Sequence, residues 1–109
     1  MGITKTEGFK DQVTHMADLL KVMGNPARLS ILEFLVESPS CICNDLVDEL
    51  PLAQPTISRH LSELKRVGFI KGNVQGKNIC YCLDREVLKE VNDFVTELSG
   101  RLEKINSYC

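Results

Sequence analysis

The sequence predicts a mainly helical α+β domain with one β-hairpin placed before its last helix. Three observations predict it. Apolar residues recur at helical spacing along most of the chain. One stretch, residues 69–83, switches to period-two alternation around turn residues. Gly24, Pro26, Pro55 and Gly68 fall where the helical patterns start or stop.

The 109 residues fit one domain, read here as residues 1–109. Hydrophobic content is 43%, but aromatics are only 6% and Trp is absent, so the core is aliphatic. No apolar run approaches the roughly 20 residues of a membrane span. The first residues lack the apolar stretch of an export signal. A cytoplasmic protein without a membrane partner is expected.

The first helix is expected over residues 9–23. Phe9, Val13, Met16, Leu20 and Met23 form a seam-like stripe, widened by Leu19 and Val22. Gly24 ends it. Asn25-Pro26 opens the second helix, with Asn as N-cap and Pro at the first helical position, and that helix runs over about 26–36. Its apolar residues leave little polar face, so it is mostly buried, with Arg28 and Ser30 outside. Residues 45–50 form a short third helix after a loop. Gln54 caps the fourth, residues 54–67, whose stripe is Ile57, Leu61 and Leu64. Its other faces carry Gln54, Thr56, Ser58, Arg59, His60, Ser62 and Lys65, short hydrogen-bonding groups plus cations.

Two short helices joined by a few residues, the second polar outside, make a helix-turn-helix. The hairpin follows at once, its turn within Gln75-Gly76-Lys77-Asn78, as a wing placed to reach phosphates. The last helix, residues 85–107, is capped by Asp84 and striped by Val87, Val91, Phe94, Leu98, Leu102 and Ile105. Its stripe is too long for one small domain to cover, and the first helix has an under-used stripe too. Both are expected to pair with their copies in a twofold homodimer.

The net charge of −2 conceals a split. Residues 54–78 carry Arg59, Lys65, Arg66, Lys71 and Lys77 against Glu63 alone, a local +4. Binding to a polyanion depends on that local patch and not on the whole-chain balance.

Gly24-Asn25-Pro26-Ala27-Arg28-Leu29-Ser30-Ile31-Leu32 resembles the opening of the second helix in the ArsR/SmtB family of bacterial winged-helix repressors. Gln54-Pro55-Thr56-Ile57-Ser58-Arg59-His60-Leu61-Ser62-Glu63-Leu64 resembles that family's recognition helix. The likeness spans about residues 13–84. It implies a homodimeric repressor of double-stranded operator DNA, released by an inducer that is often a metal or metalloid ion, with no cofactor required for DNA binding. It places the DNA-facing residues at Gln54, Thr56, Ser58, Arg59 and His60, with wing support from Lys77. His60 has a second reading, packed at the edge of the core.

Five cysteines, Cys41, Cys43, Cys80, Cys82 and Cys109, form an odd set in a chain without an export signal, which points to ligand-binding or redox-active thiols. Cys41-Ile42-Cys43 resembles the Cys-x-Cys of arsenic-sensing members, but Leu46 stands where those have a third Cys. The family's other metal site, of Asp and His on the last helix, is absent, since residues 85–109 hold no His. A different site follows from strand geometry. In a winged helix the segment before the helix-turn-helix pairs with the return strand of the wing. If Ile42 and Tyr81 point inward, Cys41, Cys43, Cys80 and Cys82 share the outer face. Thiolates opposed across a strand pair can hold As(III) or a soft metal ion. Two other readings stand beside this one: a reversible disulfide that senses oxidants, and cysteines with a packing role only, in a ligand-independent DNA-binding regulator. Cys109 sits at the terminus, outside this set.

A dimeric interaction module without DNA binding would not need the local +4. An enzyme is not expected: no phosphate loop, nucleophile triad or paired carboxylates are present, and two His leave little acid–base machinery.

Overall fold

The computed structural model describes residues 8–37, 41, 50–76 and 78–104. Four helices and one hairpin lie among them, and the architecture is mainly helical. In chain order they are α1 (Asp11–Met23), α2 (Pro26–Glu37), α3 (Gln54–Arg66), β1 (Ile70–Gln75), β2 (Asn78–Leu83) and α4 (Arg85–Glu103). The short helix expected at 45–50 falls almost wholly outside the described residues.

Local chemistry fixes the helix ends. Asn25 Oδ1 accepts from the backbone N–H of Ala27 at 2.9 Å and of Arg28 at 3.2 Å, capping α2 ahead of Pro26. Asp84 Oδ1 accepts from Glu86 N at 2.9 Å and caps α4. Several ends differ from expectation: α2 runs one residue longer, to Glu37, and α3 stops one residue earlier, at Arg66. α1 begins at Asp11, not residue 9, because Lys10 is still extended. α3 begins at Gln54 with Ala53 as the extended N-cap, so Gln54 is helical and Pro55 is the second helical residue. Pro55 tolerates that place because its missing N–H lies in the first turn. α4 ends at Glu103 with Lys104 as its C-cap; residues 105–107 lie outside the described residues.

The exit from α3 is built on Gly68. Its φ of +94° is open to glycine at little cost. Gly68 N donates to Lys65 O at 3.1 Å and Phe69 N donates to Leu64 O at 3.0 Å, the paired bonds of a Schellman turn. The turn drives Phe69, fully buried, into the core and starts β1. β1 and β2 pair antiparallel in a register from Ile70–Leu83 to Gln75–Asn78, and Gly76, at φ +63°, begins the turn.

The core joins all these elements. Leu19 and Val22 of α1, Ile31 and Leu32 of α2, Ile57, Leu61 and Leu64 of α3, Phe69, Ile70 and Val91 are all buried. The three residues of the α3 stripe are 0%, 6% and 0% exposed, so that face of the helix is committed to the core. α1 divides its apolar residues. Met16, Leu19 and Val22 face inward, while Phe9 just before the helix, Val13 and Leu20 stay outside. α4 packs against α1 and buries Val91, but Val95, Leu98 and Leu102 remain about half exposed. No helix among the described residues is long and apolar enough to cross a membrane.

Candidate nucleic-acid interface

With Ile57, Leu61 and Leu64 facing inward, α3 turns its polar residues out. Gln54, Ser58, Arg59, Ser62 and Lys65 are exposed; Thr56 and His60 are half-buried. The first turn of α3 carries no acidic residue, and Lys65 and Arg66 lie in its last turn. The positive end of the helix dipole therefore meets an approaching phosphate unopposed.

The charge patch divides in a way the sequence did not predict. Arg66 grips Asp18 of α1 with two bonds, Nη1 to Oδ2 at 3.0 Å and Nη2 to Oδ1 at 3.2 Å, and also reaches Glu63. Its hydrogen bond to Arg66 holds the Asp18 carboxyl below the usual range, and the Arg66 guanidinium is held more firmly protonated in turn. Lys71 lies 3.5 Å from Asp84, which its bond from the Glu86 N–H keeps ionised to lower pH than usual. Arg59 and Lys65 make no ion pair among the described residues, so their charge is available. Lys77 lies outside the described residues.

Arg28 is not the exposed residue expected on α2. It is half-buried, donating Nε–H to His60 Nδ1 at 3.1 Å and Nη1–H to the Val22 carbonyl at 3.2 Å. Partial burial, then the nearby cations Arg28 and Arg59, push the His60 pKa below its ordinary 6.5. The ring is therefore neutral at pH 7. His15, on α1, lies with Nε2 3.3 Å from Glu90 Oε1 of α4.

At the root of the wing, Cys41 and Cys82 form a disulfide with their Cα atoms 4.5 Å apart. That separation is typical of directly opposed residues in a non-hydrogen-bonded pair of an antiparallel ladder. Residue 41 thus lies alongside β2. Asn73 Nδ2 donates to Cys82 Sγ at 3.5 Å. The register sets Lys71 opposite Cys82 and Asn73 opposite Cys80, so these four residues share one face of the hairpin. That face is not the outer one at Cys80, which is fully buried. Alternation assigns residues to a face but does not say which face is covered. Here both are: Ile70 is buried on one side and Cys80 on the other. Tyr81 packs against the core, as expected. Cys43 and Cys109 lie outside the described residues. Among the described residues, no cluster of three or more His, Cys, Asp or Glu is placed to hold a metal ion. The donors present are soft sulfurs, which suit a thiophilic ion and not a hard one.

Comparison with known proteins agrees with this geometry. Residues 25–71 match the family described as "Bacterial regulatory protein, arsR family". An uncharacterized HTH-type transcriptional regulator of Methanocaldococcus jannaschii is 44% identical over 84 residues, covering 75% of this chain and 92% of that protein. The arsenical resistance operon repressor of Staphylococcus xylosus is 32% identical over 77 residues, covering 71% and 73%. Among solved structures, an ArsR-like transcriptional regulator from Rhodococcus sp. RHA1 superposes with a TM-score of 0.75 over 87% of this chain and 89% of its own, at 18% identity, a likeness of fold. On these matches the chain belongs to the ArsR/SmtB family of winged helix-turn-helix, DNA-binding transcriptional repressors.

Proposed function

We propose that this repressor acts as a homodimer that reads its operator through α3 and is released by thiophilic chemistry at the root of the wing. Gln54, Thr56, Ser58, Arg59 and His60 face the major groove, and Lys77 adds a phosphate contact from the wing. The dimer is supported by the apolar strip left outside on α1 and α4, Val13, Leu20, Val95, Leu98 and Leu102, with Phe9 just before α1. Twofold pairing along that strip would set two recognition helices one helical turn apart on DNA.

The observation that carries the release mechanism is the opposition of Cys41 and Cys82. The two sulfurs belong to different parts of the recognition unit, one before the helix-turn-helix and one in the wing. In the thiol form, Cys41, Cys43, Cys80 and Cys82 supply thiolates for As(III) or a soft metal ion. Drawing them together shifts the wing relative to α3. A coupling of about 1–3 kcal/mol corresponds to roughly 5–150-fold weaker operator binding. The arsenical resistance operon repressor among the relatives is in keeping with that inducer class.

A second reading is favoured by the Cys41–Cys82 disulfide itself. An oxidant such as hydrogen peroxide takes two electrons and two protons from the two thiols and leaves as two waters, closing the S–S bond. The disulfide and the bound ion exclude each other, because each uses the same sulfurs.

One titration separates the two readings. Fluorescence anisotropy of the fully reduced protein on labelled operator, with arsenite added under argon, should show DNA release. The Cys41→Ser/Cys43→Ser variant should hold its DNA. Release by peroxide, reversed by dithiothreitol and absent with arsenite, selects the redox reading. Indifference to both reagents would leave a ligand-independent repressor.

A further inference from the structure

We propose that Arg28 is a positioning residue for DNA reading, which holds His60 of the recognition helix as the neutral tautomer with its proton on Nε2. The proposal rests on α3, with His60 in it, being the DNA-facing helix. Arg28 lies in the first turn of α2, where the Asn25 side chain fixes its backbone N–H. From there its guanidinium spans two other elements. Nη1 holds the Val22 carbonyl near the end of α1, and Nε holds the His60 ring on α3. A guanidinium only donates, so His60 Nδ1 can only accept. A neutral imidazole has one acceptor and one donor nitrogen, so the proton sits on Nε2, on the side of the ring away from the guanidinium.

The tautomer decides what the ring can read. An Nε2–H donor matches a phosphate oxygen or the acceptor edges of guanine, adenine and thymine, and it rejects the amino group of cytosine. The opposite tautomer would invert that preference. The charged groups around the ring reinforce the arrangement. Arg28 from α2 and Arg59 from α3 are cations, which oppose a charged ring. The cleft beside Arg28 is lined also by Asp18, Lys21, Glu63 and Arg66, but Asp18 and Glu63 are engaged by Arg66. Protonating His60 would set Nδ1–H against Nε–H, two donors face to face. Acid should therefore break the tie among α1, α2 and α3.

Long-range proton–nitrogen correlation NMR of the whole, reduced protein at pH 7.5 tests this directly. In the wild type, His60 should give the pattern of a neutral ring protonated at Nε2. In Arg28→Ala the two tautomers should mix, and the His60 titration should move to higher pH. Arg28→Lys keeps the charge but cannot hold both bonds, and should fall between; it also serves if Arg28→Ala folds poorly. Operator affinity should fall about tenfold in Arg28→Ala, the scale of one charge-assisted hydrogen bond. The Arg28→Ala/His60→Ala double variant should lose no more than His60→Ala alone. A wild-type ring protonated at Nδ1, or a tautomer unmoved by Arg28→Ala, overturns the proposal. If the tautomer behaves as stated but His60→Ala binds operator normally, the DNA-facing role of His60 fails instead, and with it the functional half of the proposal.

Discussion

Operator binding should depend on salt less steeply than the sequence charge suggests. Residues 54–78 carry five Lys and Arg side chains. If all ten of a dimer neutralised phosphates, log K would fall against log salt with a slope of about −9. Two of the five are engaged within the fold. Arg66 holds Asp18 and Glu63, and Lys71 lies beside Asp84. Arg59 and Lys65 make no ion pair among the described residues and, with Lys77, which lies outside them, are the proposed phosphate contacts. Two or three contacts per protomer give a slope of about −3.6 to −5.4. Anisotropy titrations of labelled operator from about 50 to 300 mM KCl measure it directly. Arg59→Ala should flatten the slope by about two per dimer, and Arg66→Ala should leave it nearly unchanged. A wild-type slope near −9 would mean that Arg66 and Lys71 leave their carboxylates for DNA. A slope unaffected by Arg59→Ala would refute the docking of α3.

Other outcomes follow from packing and titration. Leu98→Glu places a charge on the exposed apolar strip of α4, and should shift the protein from dimer to monomer in sedimentation and weaken operator binding at least about tenfold through lost bivalency. Leu64→Ala empties a fully buried position between α3 and the core; it should cost about 2–5 kcal/mol in chemical denaturation. His60 has a folded-state pKa below its ordinary 6.5, so the unfolded chain takes up the proton first as pH falls. Its contribution should be fully present above about pH 6.5 and decline below it, and His60→Gln should flatten that part of a pH–stability curve. Asp18 and Asp84 also have lowered pKa values, so their contributions persist to lower pH and are lost as pH falls through the carboxylate range.

The elements that the sequence revealed are those whose signals are local. Pro55 with the Ile57, Leu61, Leu64 stripe placed α3, and Asn25, Asp84 and Gly68 marked ends that their own hydrogen bonds then define. Period-two alternation placed the hairpin and paired Cys80 with Cys82 on one face. What stayed hidden is long-range. Arg28 meets His60 across 32 residues, and Arg66 meets Asp18 across 48. No spacing rule connects such pairs, and both arginines read as free surface charge until the helices are packed. The burial of Cys80 is hidden for the same reason: the alternation of β2 contains no record of what packs over it. The side chains that position the recognition helix were therefore missed, while those on its outer face were legible.

Control of α3 through reduced thiols at the base of the wing is the central claim. The most direct measurement compares operator affinity of one fully reduced preparation, its thiols verified by mass spectrometry, without and with saturating arsenite under argon. Binding should be tight without arsenite and weaker by about 5–150-fold with it. Equal affinity with and without arsenite, or equal loss in Cys41→Ser/Cys43→Ser, would contradict the claim.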